Sequence, residues 1–132
     1  MSALAIAEQF VACINAHDAD GLARLATPDH RFIDSLGAVL KGRDAIRRAW
    51  QAYFELVPDY HIEIGRRFTA RSEVVLLAVA NGSLRLGGHP RTDAAWRTPA
   101  ALRALIRDDQ VAEWQVYADN EPIRQHMRRV SV

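Results

Sequence analysis

The sequence lacks the features that would tie a chain together covalently or carry it across a membrane. Its single cysteine, Cys13, has no partner in the chain, so an internal disulfide is impossible. No apolar run approaches the roughly 20 residues of a membrane-spanning helix. Residues 1–5 lack the basic and continuous apolar segments of a signal peptide. We therefore expect a soluble, cytoplasmic protein with no membrane partner.

Lysine is almost absent as well. Sixteen of the seventeen basic residues are arginine, with Lys41 the exception, and sixteen acidic residues leave a net charge of +1 at pH 7. Proteins that bind nucleic acid normally carry a strong basic excess, so we expect no nucleic-acid partner. Because a guanidinium group is not deprotonated in proteins, an arginine in a functional site could anchor or neutralise a group but could not act as the base.

The motifs of common cofactor and metal sites are missing too. The sequence contains no GxGxxG, P-loop, GxSxG or CxxC motif, and its five histidines show neither HxH nor HxxxH spacing. We expect no metal and no cofactor. A chain of 132 residues is long enough to bury one core of its own, which predicts a single domain over residues 1–132.

Hydrophobic periodicity predicts helices first and a strand meander last. A helical period runs from Ala3 to His17, a short helix follows to Thr27, and a strongly amphipathic helix runs from Gly42 to Val57. A period of two predicts strands over 29–36, 60–69, 73–84, 96–107 and 111–119, with a glycine-rich turn at 87–90 and a short polar tail at 120–129. This order is typical of an α+β fold whose helices pack on one face of a curved, mostly antiparallel sheet and leave a conical hollow for a ligand.

Several short motifs in this order resemble the SnoaL-like proteins of the nuclear transport factor 2-like superfamily, a group that includes polyketide cyclases and is similar to ketosteroid isomerases. The motifs are FIDSLG at 32–37, KGRDAI at 41–46, PDYHIE at 58–63, and LIRDDQVAEW at 105–114 followed by YAD at 117–119. The resemblance implies a cone-shaped α+β barrel. It leaves the activity open, because this superfold hosts isomerases, cyclases, epoxide hydrolases, dehydratases and proteins without catalysis.

Asp34 is the leading catalytic candidate. It shares a strand face with His30, Phe32 and Leu36, so it points into the hollow if Phe32 and Leu36 do. A carboxylate among apolar side chains is costly unless it is paired or used. The resemblance places the general base of ketosteroid isomerases at this position. The alternative is a strand-end aspartate that accepts hydrogen bonds from turn amides.

This sequence reproduces neither the oxyanion-hole donors of ketosteroid isomerases nor the catalytic triad of the related epoxide hydrolases. The ketosteroid isomerase pattern implies a tyrosine near Phe10 and a protonated acid near Arg103, whereas the epoxide hydrolase pattern implies an aspartate at Val116. Both activities are therefore disfavoured. Arg103 could still donate to an enolate or carboxylate oxygen, or it could form a salt bridge with Asp34 and neutralise it.

Two further residues are candidates for proton transfer. In SnoaL-like cyclases an aspartate near the end of the last strand acts as acid or base, which the resemblance carries onto Asp119. Strict alternation places Asp119 on the face opposite Trp114 unless a bulge turns it inward; otherwise it ends the strand or caps a helix. His30 shares the face of Asp34 and could trade protons with it, or it could be a partly exposed strand residue.

Aromatic side chains are the candidates for ligand contacts. The six candidates are Phe32, Trp50, Tyr53, Tyr60, Trp96 and Trp114. Aromatic residues at helical spacing more commonly form core, which is the alternative for Trp50, whereas a buried tyrosine hydroxyl needs a partner.

Two functions follow from these observations. The first is a small cofactor-independent isomerase or cyclase that binds an apolar carbonyl compound and abstracts a proton with Asp34. The second is a non-catalytic ligand-binding or dimerisation module of the same fold. Homodimerisation through the outer face of the sheet is compatible with either function.

Overall fold

A computed structural model describes the backbone of residues 1–86 and 89–130 and the side chains of residues 1–84 and 95–128. This part of the chain forms four helices and six strands. In chain order they are α1 (Ala3–Asn15), α2 (Ala19–Leu25), β1 (Ala26–Ile33), β2 (Val39–Lys41), α3 (Arg43–Leu56), β3 (His61–Ala70), β4 (Glu73–Leu86), β5 (His89–Arg107), β6 (Gln110–Ala118) and α4 (Glu121–Val130).

The helix starts follow from local capping chemistry. The Ser2 hydroxyl accepts a hydrogen bond from the amide of Ala5 at 3.1 Å at the start of α1. The Asp18 carboxylate does the same for the amide of Gly21 at 2.9 Å at the start of α2. Helix α3 begins after Gly42, whose φ of 103° lies in a region that favours glycine. The three predicted helices are therefore present.

The strands form one open sheet in the order β2-β1-β6-β5-β4-β3. All neighbouring strands are antiparallel except β1 and β6, which pair in parallel. The predicted α+β class is confirmed, and the sheet does not close on itself because β2 and β3 are its edges. No helix in the described part of the chain has the length and apolar character that a membrane crossing requires.

The strand boundaries differ from the sequence prediction at several points, and β1 ends at Ile33 rather than residue 36. Strand β1 begins at Ala26 rather than residue 29, and Pro28 lies at a register shift between Ala26 and Arg31, where its missing N–H costs no regular ladder bond. Residues 39–41 form a short edge strand. Of the predicted turn at 87–90, Gly87 and Gly88 lie outside the described residues, and residues 89–90 belong to β5.

The inner face of the sheet carries the hydrophobic core. On the inner face, Val74, Ala104 and Trp114 lie in one row across β4, β5 and β6, and all three are buried beneath α1. The Trp114 ring lies 4.7 Å from that of Phe10 on α1. The core therefore fills one end of the space between helices and sheet.

Candidate functional site

A cavity of about 320 Å³ occupies the remaining space between α3 and the inner face of the sheet. Its walls come from α3, from β1, β4, β5 and β6, and from Ile123 on α4. The size and the predominantly apolar walls suit a small organic molecule.

Small side chains on the inner face of the sheet account for the cavity. Ala100 on β5 is the direct partner of Ala118 on β6, and both line the cavity together with Ala80 on β4. One row deeper, Leu102 is paired with Val116, and beyond that row Ala104 is paired with Trp114. The cavity therefore lies where three inward residues are alanine, and Leu102 and Val116 bound it one row deeper.

One wall of the cavity is a continuous series of aromatic rings. Phe32 contacts Trp50 at 5.9 Å between centroids, and Trp50 contacts Tyr53 at 6.2 Å. Tyr53 meets Tyr60 at 5.0 Å with an angle of 85° between the planes, and Tyr60 lies 5.8 Å from Trp96. All five rings line the cavity. The structure therefore brings together five of the six aromatic residues that the sequence nominated.

Tyr60 is held in place through its neighbours. His17 Nε2 lies 2.9 Å from the carbonyl oxygen of Tyr60. The preceding residue, Asp59, accepts hydrogen bonds from the amide and the hydroxyl of Ser83 at 2.7 and 2.6 Å. The aspartate of the PDY motif thus fixes the segment that carries Tyr60 onto β4.

The hydroxyls of Tyr53 and Tyr60 form no hydrogen bond within the described part of the chain. Burial raises the pKa of Tyr60 to about 12 and raises the pKa of Tyr53 still further. Both groups therefore remain neutral donors throughout the physiological range.

Asp34 lies directly after β1 and lines the cavity beside Phe32. Its Oδ1 accepts hydrogen bonds from the amides of Leu36 and Ala38 at 2.9 and 3.0 Å. No described residue donates a hydrogen bond to its Oδ2. The carboxylate is thus anchored through one oxygen, as the turn alternative predicts, and keeps the other oxygen unengaged. Leu36 does not share this position, because its side chain lies on the turn and is 78% exposed.

The charge of the cavity is unusual for so arginine-rich a chain. Asp34 is the one charged residue among the described lining residues, none of which is an arginine or lysine. Within the described residues, no three His, Cys, Asp or Glu side chains cluster in a way that could hold a metal ion.

The sequence model of the SnoaL-like domain matches residues 7–114. The chain belongs to the SnoaL-like family. No curated protein matches it.

Solved structures of the same fold share little sequence with this SnoaL-like chain. A candidate SnoaL-like polyketide cyclase from Shewanella putrefaciens CN-32 has a TM-score of 0.81 at 16% identity, with 96% of each chain covered. IdmH, a candidate polyketide cyclase from Streptomyces antibioticus, has a TM-score of 0.79 at 17% identity, covering 97% of this chain and 99% of IdmH. A Catenulispora acidiphila protein of ketosteroid isomerase-like fold, in complex with trimethylamine, has a TM-score of 0.71 at 24% identity and coverages of 85% and 83%. These similarities establish the fold alone.

Arg103 of the SnoaL-like domain lies on the face of the sheet opposite the cavity. Its Nε lies 2.5 Å from Glu73 and its Nη1 lies 2.9 Å from Glu113. Its neighbours Leu102 and Ala104 point inward, so alternation turns Arg103 outward. It neither faces a ligand in the cavity nor neutralises Asp34, and the sequence-based candidacy of Arg103 is corrected accordingly.

Asp119 is likewise outside the cavity. Its Oδ1 accepts a hydrogen bond from the amide of Glu121 at 2.9 Å at the start of α4, and its side chain is exposed. No bulge turns it inward, since β6 keeps its register from Val116 to Ala118. The helix-capping alternative describes its position.

His30 and Trp114 lie on the inner face but below the cavity. His30 is fully buried against the ring of Phe10, at 5.9 Å, and its Nδ1 donates to the carbonyl oxygen of Val111 at 2.6 Å. Burial lowers the pKa of His30, so the ring is held neutral. It makes no hydrogen bond to Asp34 in the structure. His30 and Trp114 both lie too deep to line the cavity.

Sequence reasoning did not identify a polar pair beside Asp34. Asn120 Nδ2 donates to Ser35 Oγ at 2.8 Å, and both residues line the cavity. Thr98 also lines it. Ser35 could have been nominated because it follows Asp34 in the sequence. Asn120 could not, because its contact with Ser35 spans 85 positions and leaves no local pattern in a single sequence.

Proposed function

We propose that this SnoaL-like protein binds an apolar carbonyl compound in its cavity and that Asp34 removes a proton from the carbon next to the carbonyl. The observation that carries the proposal is the Asp34 carboxylate, the one charged group among the described lining residues of a largely aromatic cavity, whose Oδ2 accepts no hydrogen bond from any described residue. The reaction would need no cofactor, because a carboxylate base and neutral donors are enough for enolate chemistry.

The proposed step balances without an added reagent. The C–H bond next to the carbonyl breaks, its proton moves to Asp34 Oδ2, and the electron pair forms an enolate. The hydroxyls of Tyr53 and Tyr60 serve as neutral donors to the enolate oxygen. Return of the proton to another carbon gives an isomer, and attack of the enolate carbon on a second carbonyl of the same molecule gives a cyclised aldol product.

Hydrogen–deuterium exchange tests the proposal without knowledge of the natural substrate. Cyclic ketones such as 2-tetralone are incubated in D₂O with wild-type protein, and the loss of the protons next to the carbonyl is followed by NMR. We expect exchange above the buffer rate with wild type, and the buffer rate with Asp34→Asn. Exchange at the buffer rate with wild type across a panel of ketones that bind would contradict catalysis.

A non-catalytic module that binds a small organic cation is the second candidate. It is favoured by Asp34, the single negative charge among the described lining residues, which lies beside five aromatic rings, since ring faces and a carboxylate both attract alkylammonium groups. The Catenulispora acidiphila protein of this fold holds trimethylamine.

Choline and its uncharged carbon analogue 3,3-dimethylbutan-1-ol separate this candidate from a purely apolar site. Quenching of tryptophan fluorescence reports binding, because Trp50 and Trp96 line the cavity. If the second candidate holds, choline binds at least tenfold more tightly than the alcohol. Equal affinity, or tighter binding of the alcohol, would reject it.

Homodimerisation through the outer face of the sheet stays a proposal. Phe68, Leu77 and Tyr117 are 45%, 39% and 54% exposed there. Leu77 and Tyr117 both lie opposite Ala101, and Phe68 lies one row away. A second copy of the chain could cover this apolar strip. Sedimentation should give a dimer at micromolar concentration and a monomer for Leu77→Arg, whereas a wild-type monomer would reject the proposal.

A cytoplasmic location likewise stays a prediction.

A further inference from the structure

The turn that carries Asp34 is shaped by its own hydrogen bonds. The amide of Asp34 donates to the carbonyl oxygen of Ala38, and the amide of Gly37 donates to that of Asp34, both at 3.0 Å. The two bonds from turn amides to Asp34 Oδ1 complete the turn. These bonds fix the conformation of the turn, but they are internal to it and do not fix its position relative to the cavity.

A single hydrogen bond joins this turn to the rest of the described chain beyond its flanking strands. It runs from Asn120 Nδ2 to Ser35 Oγ and is partly buried. A hydroxyl both donates and accepts, so the bond forms with either orientation of the asparagine amide. By contrast, Leu36 and Val39 are 78% and 48% exposed and supply little packing that could hold the turn.

Asn120 is itself well fixed. The preceding carbonyl oxygen, that of Asp119, accepts a hydrogen bond from the Thr98 hydroxyl at 3.0 Å, which ties the segment to β5. The carbonyl oxygen of Asn120 accepts the amide of Arg124 at 3.0 Å, within the first turn of α4. Asn120 therefore connects a turn whose Leu36 side chain is exposed to a position that both a strand and a helix anchor.

We propose that Asn120 is a positioning residue for Asp34, which it orients toward the cavity by holding Ser35. The expected effect on catalysis rests on the proposed function, whereas the role of Asn120 in holding the turn does not. Without the Asn120–Ser35 bond, the turn keeps its shape but pivots on the ends of β1 and β2, and the carboxylate spends less time in reach of a ligand. Proton transfer requires hydrogen-bond reach between base and substrate, so the loss falls on the rate of the chemical step.

Two measurements on Asn120→Ala test the proposal. The first is ¹⁵N relaxation of the amides of residues 36–38. We expect order parameters near 0.85 in wild type and below about 0.6 in the variant, the range of flexible backbone. The second is ketone exchange in D₂O, where we expect kcat to fall about tenfold with KM within twofold, since orientation and not binding is lost. Gln125→Ala, an exposed position on the same helix, is the matched control and should change neither quantity.

Ser35→Ala removes the other end of the same hydrogen bond. It should reproduce both effects, and the double variant Ser35→Ala/Asn120→Ala should add nothing, as expected for two residues that act through one bond. An ordered turn in Asn120→Ala would overturn the proposal, and so would a mobile turn with an unchanged kcat. Additive losses in the double variant would overturn it as well. If wild-type protein exchanges no ketone, the proposed function fails, while the order parameters still decide whether Asn120 holds the turn.

Discussion

Ala100 and Ala118 face each other across β5 and β6, and both methyl groups line the cavity. Larger inward residues in the next rows, Leu102 and Trp114, close the space toward the core. The capacity of the site thus depends on the absence of side-chain volume at a few strand positions.

Ala100→Leu should therefore block the cavity. The added carbons occupy space that a ligand would need, and we expect at least a tenfold loss of affinity for 2-tetralone, measured by quenching of tryptophan fluorescence. Ala101→Leu is the matched control, because the neighbouring residue points to the outer face. Unchanged binding in Ala100→Leu would mean that the ligand lies elsewhere.

His30 predicts an acid-side loss of stability. Burial is the largest influence on the pKa of His30 and lowers it. It outweighs the hydrogen bond to Val111 and the nearby charges of Glu113 and Asp29, which raise the pKa. As the pH falls, His30 of the unfolded chain is therefore protonated near its ordinary pKa of about 6.5, whereas His30 of the folded chain stays neutral to lower pH. The stability is fully present above that pH and declines below it, by at most about 1.4 kcal/mol per pH unit.

Urea unfolding of His30→Phe at several pH values between 8 and 5 measures this contribution. The variant keeps a ring against Phe10 but leaves the carbonyl oxygen of Val111 without its partner, which should cost about 1–3 kcal/mol at pH 8. Its stability should then fall less steeply than that of wild type below pH 6.5. His61→Gln, at an exposed position of β3, should keep the wild-type slope. A wild-type slope in His30→Phe would assign the pH dependence to other groups.

Arg103 should matter for stability and not for binding. Arg103→Met removes the ion pairs with Glu73 and Glu113 on the outer face but retains much of the aliphatic packing. We expect a loss of up to about 1 kcal/mol in the free energy of unfolding, the usual range for partly exposed pairs, with the affinity for 2-tetralone within twofold. A large loss of affinity would indicate that Arg103 reaches the ligand site.

Much of the fold could be predicted from the sequence. The hydrophobic residues repeat clearly with helical or strand spacing, and Ser2 and Asp18 are common N-cap residues. The cavity wall was readable for a similar reason: Phe32 lies on the inner face of β1, and Trp50 and Tyr53 lie on one face of α3. The turn bonded to Asp34 was also one of the two alternatives that the sequence left open.

The remaining features depend on information that periodicity does not contain. Alternation says which residues share a face but not which face is inner when both carry apolar residues, and Arg103 was ambiguous for that reason. It also says nothing about depth, so His30 and Trp114 were expected at the ligand rather than below it. The Asn120–Ser35 bond depends on the parallel pairing of β1 with β6, which joins distant parts of the chain.

The central claim is that Asp34 is a base acting on a ligand in the cavity. The most direct test compares Asp34→Asn with Asp119→Asn, an equivalent change at an exposed helix cap, and measures for each the exchange rate of 2-tetralone in D₂O together with its affinity. We predict that Asp34→Asn lowers the rate at least 100-fold, as expected for loss of a general base, with affinity within threefold, whereas Asp119→Asn changes neither. Equal exchange rates in wild type and Asp34→Asn would contradict the claim.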